Sequence, residues 1–282
     1  MKLSNKKVVI TGHTGFIGKN LIERFENSEF LLIGRDLSLI EKIKEFNPDY
    51  IFHFGAEIYD DSKMFESNLE LTYKLLEVTK NLEFEAFIYC GSSSEYGRKP
   101  EKMKETDILE PRNMYEATKG ACTLLCQSYA KTYNKPIAII RPFSVYGRYE
   151  KEHRFIPTLF RKFSAKERIK ISPGVHDFIH IDDFIDGVLL IATLDSEKIK
   201  AQIINLGTGV QYTNQEVYNT FKLIYGYDIE VEKSEDLMRT FDSDNWVADI
   251  TKAQTEYGFN PKYNLLTGLK QIYNEQNIRE VK

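Results

Sequence analysis

A short apolar run, Lys7-Val8-Val9-Ile10-Thr11, passes without a linker into Thr11-Gly12-His13-Thr14-Gly15-Phe16-Ile17-Gly18. That junction constrains the fold more than any other part of the chain. Five residues with no polar alternation read as a strand buried on both faces, which is the habit of a parallel sheet. The glycines follow at once, and behind them Phe16, Ile17, Leu21, Ile22 and Phe25 recur with helical spacing. In such a strand–turn–helix unit Gly12 permits the tight turn and Gly15 lets backbone approach a pyrophosphate at the helix N-terminus. Gly18 lets the helix lie close on the sheet. With Thr14, Phe16 and Ile17 completing the loop, the segment reads as a dinucleotide-binding fingerprint.

The rest of the first half keeps that rhythm. Strands are expected at 30–34, 50–54, 86–91 and 136–141, with helices at about 68–82 and 114–133 between them. The chain is therefore expected to be α/β: a Rossmann-type doubly wound parallel sheet with a smaller C-terminal α/β substrate-binding region. Residues 1–147 form the expected dinucleotide-binding domain. Residues 148–282 form mainly the substrate region, with segments near 175–206 returning to the main sheet. Shorter strands are expected there at 168–171, 202–205 and 228–231.

Composition narrows the functional classes. With 282 residues, 42% hydrophobic and 28% charged, the chain has the makeup of a soluble globular protein. A formal charge of −4 offers no electrostatic footprint for nucleic acid. The longest apolar stretches, such as Val188-Leu189-Leu190-Ile191-Ala192, are far too short to cross a bilayer. Met1–Lys7 leads straight into a strand with no secretory core, so a cytoplasmic location is expected. Cys90, Cys122 and Cys126 have no metal-ligand spacing, and no metal is expected. Cys122 and Cys126, four apart on a helix, read as buried small hydrophobes.

Two further motifs carry chemistry. In Tyr115-Glu116-Ala117-Thr118-Lys119 the spacing stacks a phenol and an ammonium on one helix face. A neighbouring positive charge favours phenolate, which suits a general acid/base for an alcohol or carbonyl oxygen. Cys90-Gly91-Ser92-Ser93-Ser94-Glu95-Tyr96-Gly97 supplies a hydroxyl, Ser92, as partner to that oxygen. The end of the second strand, Gly34-Arg35-Asp36, bears on the cofactor. A cation there accepts a ribose 2′-phosphate and an acid accepts a free 2′-hydroxyl. Arg35 comes first and favours NADP; Asp36 keeps NAD open.

With the glycine motif, the serine loop and Tyr115-x-x-x-Lys119 in this order, the chain resembles the extended short-chain dehydrogenase/reductases, specifically their nucleotide-sugar branch. Pro48-Asp49-Tyr50-Ile51-Phe52-His53-Phe54-Gly55-Ala56 is similar to the family segment in which Gly55 and Ala56 would line the cofactor. Arg141-Pro142-Phe143-Ser144-Val145-Tyr146-Gly147 is similar to the strand and loop that meet nicotinamide and sugar, through Pro142 and Ser144. The segments 177–183, 205–209, 249–253 and 257–261 continue the likeness to the C-terminal end. The resemblance implies Ser92, Tyr115 and Lys119 as catalytic residues, Lys119 also binding the nicotinamide ribose. It implies a nucleotide-diphosphate sugar as substrate, met by Ser93, Ser94, Ser144, Arg154, His176 and Arg239. Arg239 resembles the arginine that grips the diphosphate. The family usually dimerises through two helices per subunit, so a homodimer is expected.

The departures matter as much. Dehydratases of this branch follow the catalytic hydroxyl with an Asp-Glu pair, and those positions are Ser93 and Ser94 here. Neither can serve as the acid that elimination needs. Glu95 stands one position late and is expected to point elsewhere. GDP-fucose synthase has an epimerising Cys where this chain has Ser94, and its His falls at Arg154. The short distance from Arg35 to Pro48 leaves no room for an additional strand, a layout similar to NADPH-using 4-keto-sugar reductases, which also include the abequose and paratose synthases. The expected activity is reduction of a nucleotide-diphosphate 4-keto-deoxysugar for surface polysaccharide. The alternatives are an NAD-dependent nucleotide-sugar 4-epimerase and a non-catalytic dinucleotide sensor.

Overall fold

The computed structural model describes residues 1–34, 37–233 and 244–280. Arg35, Asp36 and Arg239, three residues singled out above, lie outside the described residues.

In the first half β1 (Lys7–Thr11) leads into α1 (Phe16–Ile22), followed by β2 (Glu29–Ile33) and β3 (Tyr50–His53). A π-helical turn, Phe65–Glu70, runs into α2 (Leu71–Thr79), and β4 (Ala86–Cys90), α3 (Met114–Thr132) and β5 (Ile137–Pro142) complete this half. The second half comprises β6 (Ser144–Tyr146), α4 (Phe155–Ala165), β7 (Ile169–Ile171), β8 (Phe178–His180), α5 (Ile181–Ala192) and β9 (Ile203–Leu206). It ends with α6 (Asn214–Tyr225), β10 (Val231–Lys233), α7 (Thr251–Tyr257) and α8 (Leu265–Glu280).

Six strands form one parallel sheet in the order β9-β5-β4-β3-β1-β2. The Rossmann-type α/β architecture expected from the alternation is the one observed. Strand β9, built by residues far down the chain, pairs with β5 in the register Asn205↔Arg141. Period-two alternation divides the core. Val8, Ile10, Phe52, Ile88 and Ile140 face α5 through Phe184 and Val188, while Val9, Ile51, Phe87 and Ile139 face Leu75, Leu76, Cys122 and Cys126 on α2 and α3. All these side chains are buried, so Cys122 and Cys126 are packing residues as their spacing implied.

A separate core lies in the C-terminal half, where Phe160 and Phe163 of α4 pack with Phe221 of α6 and Leu269 of α8, the Phe160 and Phe221 rings meeting edge to face. The last strand begins at Val231, not at Asp228 as its β-branched run implied. Asp228 and Ile229 are held by α6 instead, because the Tyr218 hydroxyl donates to the Ile229 carbonyl at 2.6 Å, while the Glu230 carbonyl already accepts the Ile169 N–H of β7 at 2.9 Å. Among the described residues no helix is long and apolar enough to cross a membrane.

Candidate active site

The sheet brings the three sequence motifs to the C-terminal ends of β1, β3, β4 and β5, where open parallel sheets offer a crevice. At the first of these, Gly12 has φ +72°, and a Cβ there would stand 2.7 Å from the Gly55 nitrogen. A side chain at Gly12 would therefore push apart the turn and the loop after β3. A Cβ on Gly18 would lie 2.7 Å from the His13 Cα and closer still to the Gly12 carbonyl. The positive φ at Gly12 fits the tight turn expected there, whereas Gly18 makes room for the Gly12–His13 turn itself and not, as its spacing implied, for the sheet. Gly15 is the N-cap of α1, has no side-chain hydrogen bond to the helix, and the first turn carries no acidic residue. The outward N–H groups of that turn, beside exposed Thr14 and Gly15 and half-buried Phe16 and Ile17, can receive an anionic group such as a pyrophosphate. Gly55 and Ala56 border the same turn from β3, and Pro142 ends β5 half-buried.

Beneath this rim lies a side chain that the local sequence did not single out. His53 is buried and held on both ring nitrogens, with Thr11 Oγ1 2.6 Å from Nδ1 and Thr72 Oγ1 2.8 Å from Nε2. Burial, with the Lys119 charge as a second cause, lowers its pKa to about 3. The ring is a neutral structural element at any pH near 7.

At the end of β4, Ser92 caps a short 3₁₀ turn, Ser93–Tyr96. Its Oγ accepts the Ser94 N–H at 3.1 Å, so the hydroxyl hydrogen can be donated outward. Glu95 does not enter the crevice. Its carboxylate is fully buried and turned back: Oε1 accepts the Ser92 N–H at 2.8 Å, and Oε2 accepts the Thr123 hydroxyl at 2.8 Å and the Arg141 Nε–H at 2.9 Å. Arg141, itself 1% exposed, lies 4.5 Å over the Tyr96 ring. Burial works against the Arg141 cation, but Glu95 and Tyr96 outweigh it and raise its pKa. Local pattern gave no sign of this pair, because its members stand 46 residues apart on different strand ends.

Asn113 caps α3 by accepting the Glu116 N–H at 2.9 Å, which fixes the first turn of the helix and half-buried Tyr115 within it. One turn later Lys119 is buried, donates Nζ to the Cys90 carbonyl at 2.7 Å and lies 5.1 Å over the Tyr89 ring. The lysine thus pins α3 to the strand end that carries Ser92. Ser92, Tyr115 and Lys119 come from two segments joined by this bond.

The second half supplies the other wall. Strands β6 and β8 run parallel with Ser144 opposite Phe178, and Ser144 Oγ stands 3.4 Å from His176 Nδ1. Asp177 between them is fully buried and organises the loop after β9: its carboxylate accepts from Thr208 N at 2.8 Å, Thr208 Oγ1 at 2.6 Å, Gly209 N at 2.9 Å and Ala248 N at 3.1 Å. Burial raises its pKa although these bonds oppose the shift. Arg154 is exposed at the N-cap of α4, its Nε 3.5 Å from a Glu150 oxygen. Burial pushes Glu150 up to about 7. Ser93 is buried behind Ser92, and Ser94 is half-buried. Across the loops Tyr59 meets His153 Nε2 at 3.0 Å. Among the described residues no group of three or more His, Cys, Asp or Glu is arranged to hold a metal ion.

Three likenesses bear on this geometry. The chain is 25% identical over 297 residues to the GDP-6-deoxy-D-talose 4-dehydrogenase of Aggregatibacter actinomycetemcomitans, covering 95% of this chain and 97% of that one. It is 25% identical over 265 residues to the dTDP-D-glucose 4,6-dehydratase of Dictyostelium discoideum, covering 75% of this chain but spanning only 60% of that longer protein. Its fold matches the UDP-glucuronic acid 4-epimerase of Bacillus cereus, solved with UDP-glucuronic acid and NAD, with a TM-score of 0.83, 24% identity, and coverage of 98% and 100%. The model of the NAD dependent epimerase/dehydratase family matches residues 8–207, from the first strand of the sheet through its last. The chain belongs to that family of nicotinamide-dependent enzymes.

Proposed function

We propose that this protein is a reductase of a nucleotide-diphosphate 4-keto-deoxysugar, with NADP(H) as cofactor. The observation that carries the reading is the combination of a complete Ser92–Tyr115–Lys119 set with no acid beside Ser92. Ser93 and Ser94 fill the positions of a dehydratase acid pair, and the nearest carboxylate, Glu95, is committed to Arg141 inside the core. Oxidation and reduction of a sugar carbon need a proton donor and a hydroxyl partner. Elimination of water needs an additional acid and base, and neither Ser93 nor Ser94 can supply one.

The residues at the glycine turn fit a dinucleotide. Gly12, Thr14, Gly15, Phe16, Ile17 and Gly18 would hold its pyrophosphate, Gly55, Ala56 and Pro142 would line it, Lys119 would bind its ribose, and Arg35 with Asp36 would choose between phosphate and hydroxyl. When bound, the nicotinamide supplies hydride transfer to or from the sugar carbon. Tyr115 donates its phenolic proton to the ketone oxygen, and the Ser92 hydroxyl hydrogen, left available by the Ser94 N–H, stabilises the charge growing there. Lys119 keeps the phenol and the serine loop in register through the Cys90 carbonyl. Ser144, Arg154, His176 and Arg239, with Ser93 and Ser94, are the proposed sugar and diphosphate contacts, and the proposed assembly is a homodimer.

A 4-epimerase with retained NAD is the second reading. It uses the same three side chains, and the relative that acts on UDP-glucuronic acid shares the whole fold. One experiment separates the two. Purified protein is mixed with 4-keto intermediates made by CDP-, dTDP- and GDP-sugar dehydratases, and NADPH absorbance is followed. Stoichiometric loss of NADPH is the expected result. Turnover of a UDP-hexose with no added nucleotide would refute the reductase reading in favour of the epimerase.

A further inference from the structure

His53 sits at the centre of a hydrogen-bond chain whose direction can be worked out atom by atom. Thr72 Oγ1 donates to the Asn68 carbonyl at 2.6 Å, and a carbonyl can only accept. The single hydroxyl hydrogen of Thr72 is thereby used, so at 2.8 Å it must accept the His53 Nε2–H. On the other side, Thr11 Oγ1 accepts the Gly55 N–H at 2.9 Å and still has its own hydrogen to give. His53 Nδ1, 2.6 Å away, takes it. The imidazole is therefore neutral and protonated on Nε2.

The two ends of this chain reach the two ends of the 55–57 loop. Through Thr11 it holds the Gly55 amide at the foot of the glycine turn, where Thr11 and His53 stand opposite each other in the sheet register. Through Thr72 it holds Asn68, which lies in the π-helical turn ahead of α2. Asn68 is itself a clamp: its side-chain oxygen accepts the Glu57 N–H at 2.7 Å, and its amide donates to the Glu57 carbonyl at 3.0 Å and to Thr118 Oγ1 at 3.1 Å. Thr118 in turn donates to the carbonyl of Tyr115 at 3.0 Å. Residues 55 and 57 are thus secured from opposite ends of one imidazole.

We propose that His53 is a positioning residue that fixes the 54–57 loop between the glycine turn and the Tyr115 helix, and so sets the dinucleotide site. The proposal rests on the functional reading above, since it takes that crevice to hold a nicotinamide dinucleotide. A hydrogen-bonded neutral ring with one acceptor and one donor suits the task because neither bond can reverse without leaving a buried polar group unpaired.

The test is titration of NADH and NADPH into the purified chain, using wild type, His53→Leu, Thr72→Val and His53→Gln, each well below its melting temperature. Glutamine offers a carbonyl acceptor and an NH₂ donor group on one plane and can replace both ring bonds. The expected result is a dissociation constant about tenfold or more weaker for His53→Leu and Thr72→Val. His53→Gln is expected to recover to within about threefold of wild type. Amide hydrogen exchange at Gly55 and Glu57 should quicken in the first two variants and not in the third. If His53→Leu does not fold, Thr72→Val against His53→Gln decides the same question. Wild-type affinity in both His53→Leu and Thr72→Val, or equal weakening in Leu and Gln, overturns the proposal. A wild-type chain that binds neither dinucleotide overturns the functional reading, and the proposal falls with it.

Discussion

Replacing Glu95 by Gln tests whether the acid beside the catalytic serine is a core ion pair, because the change keeps the shape and removes only the charge. In the native protein Glu95 is 0% exposed and Arg141 1%, with N–H···O distances of 2.9 Å from both Nε and Nη2 to the same oxygen. A glutamine cannot serve all three donors. With its oxygen toward Arg141, its NH₂ confronts the Ser92 N–H; with its oxygen toward Ser92, its NH₂ confronts the guanidinium. Arg141 would then be a buried cation held by the Tyr96 ring alone, with Nη1 already lacking a partner among the described residues. Removing one member of such a pair costs about 3–5 kcal/mol, set against a total of about 5–15 kcal/mol for a protein of this kind. Urea unfolding followed by circular dichroism should therefore show Glu95→Gln destabilised by about 3 kcal/mol or more. The double variant Glu95→Gln/Arg141→Met removes the stranded charge and should recover at least about 2 kcal/mol of that loss, giving a large coupling in the cycle. Turnover should fall in the folded single variant, since either the Ser92 amide loses its acceptor or an unpaired Arg141 cation is left behind the Ser92 turn. A single variant within about 1 kcal/mol of wild type, or additive losses in the double, would refute the reasoning.

Four other outcomes are expected. Tyr115→Phe should bind dinucleotide nearly as wild type in a fluorescence titration while losing about a hundredfold or more of its turnover; normal turnover would remove the phenol from proton transfer. Arg35→Asp should weaken NADPH selectively over NADH, and an unchanged preference would mean that Arg35 does not meet a 2′-phosphate. Gly18→Ala places a methyl 2.7 Å from the His13 Cα, so both dinucleotide affinity and melting temperature should drop together. Acid should destabilise the protein through His53: its folded pKa of about 3 lies below the ordinary 6.5, so the unfolded chain takes up a proton that the folded one refuses. That contribution is complete above pH 6.5 and is lost as pH falls toward 3. Between pH 7.5 and 5.0 wild type should therefore lose about 2 kcal/mol more than His53→Gln in urea titrations, and equal losses would mean that His53 does not titrate this way.

Much of this protein is legible in the chain alone. The glycine turn, the alternation of apolar strands with helices and the Tyr115–Lys119 spacing are local patterns, and local backbone geometry determines them: period two for strands, four residues per shared helix face, and glycine where a Cβ would collide. They led to the parallel sheet and to its family. They could not show where Glu95 points, why Lys119 reaches the Cys90 carbonyl, or that His53 ties Gly55 to Asn68. Each of these depends on which strand lies beside which. The order β9-β5-β4-β3-β1-β2 sets Thr11 against His53 and brings Arg141 to the Ser92 turn. Buried polar atoms find partners wherever the sheet happens to place them, at any separation in sequence, because leaving them unpaired costs more than any local preference provides.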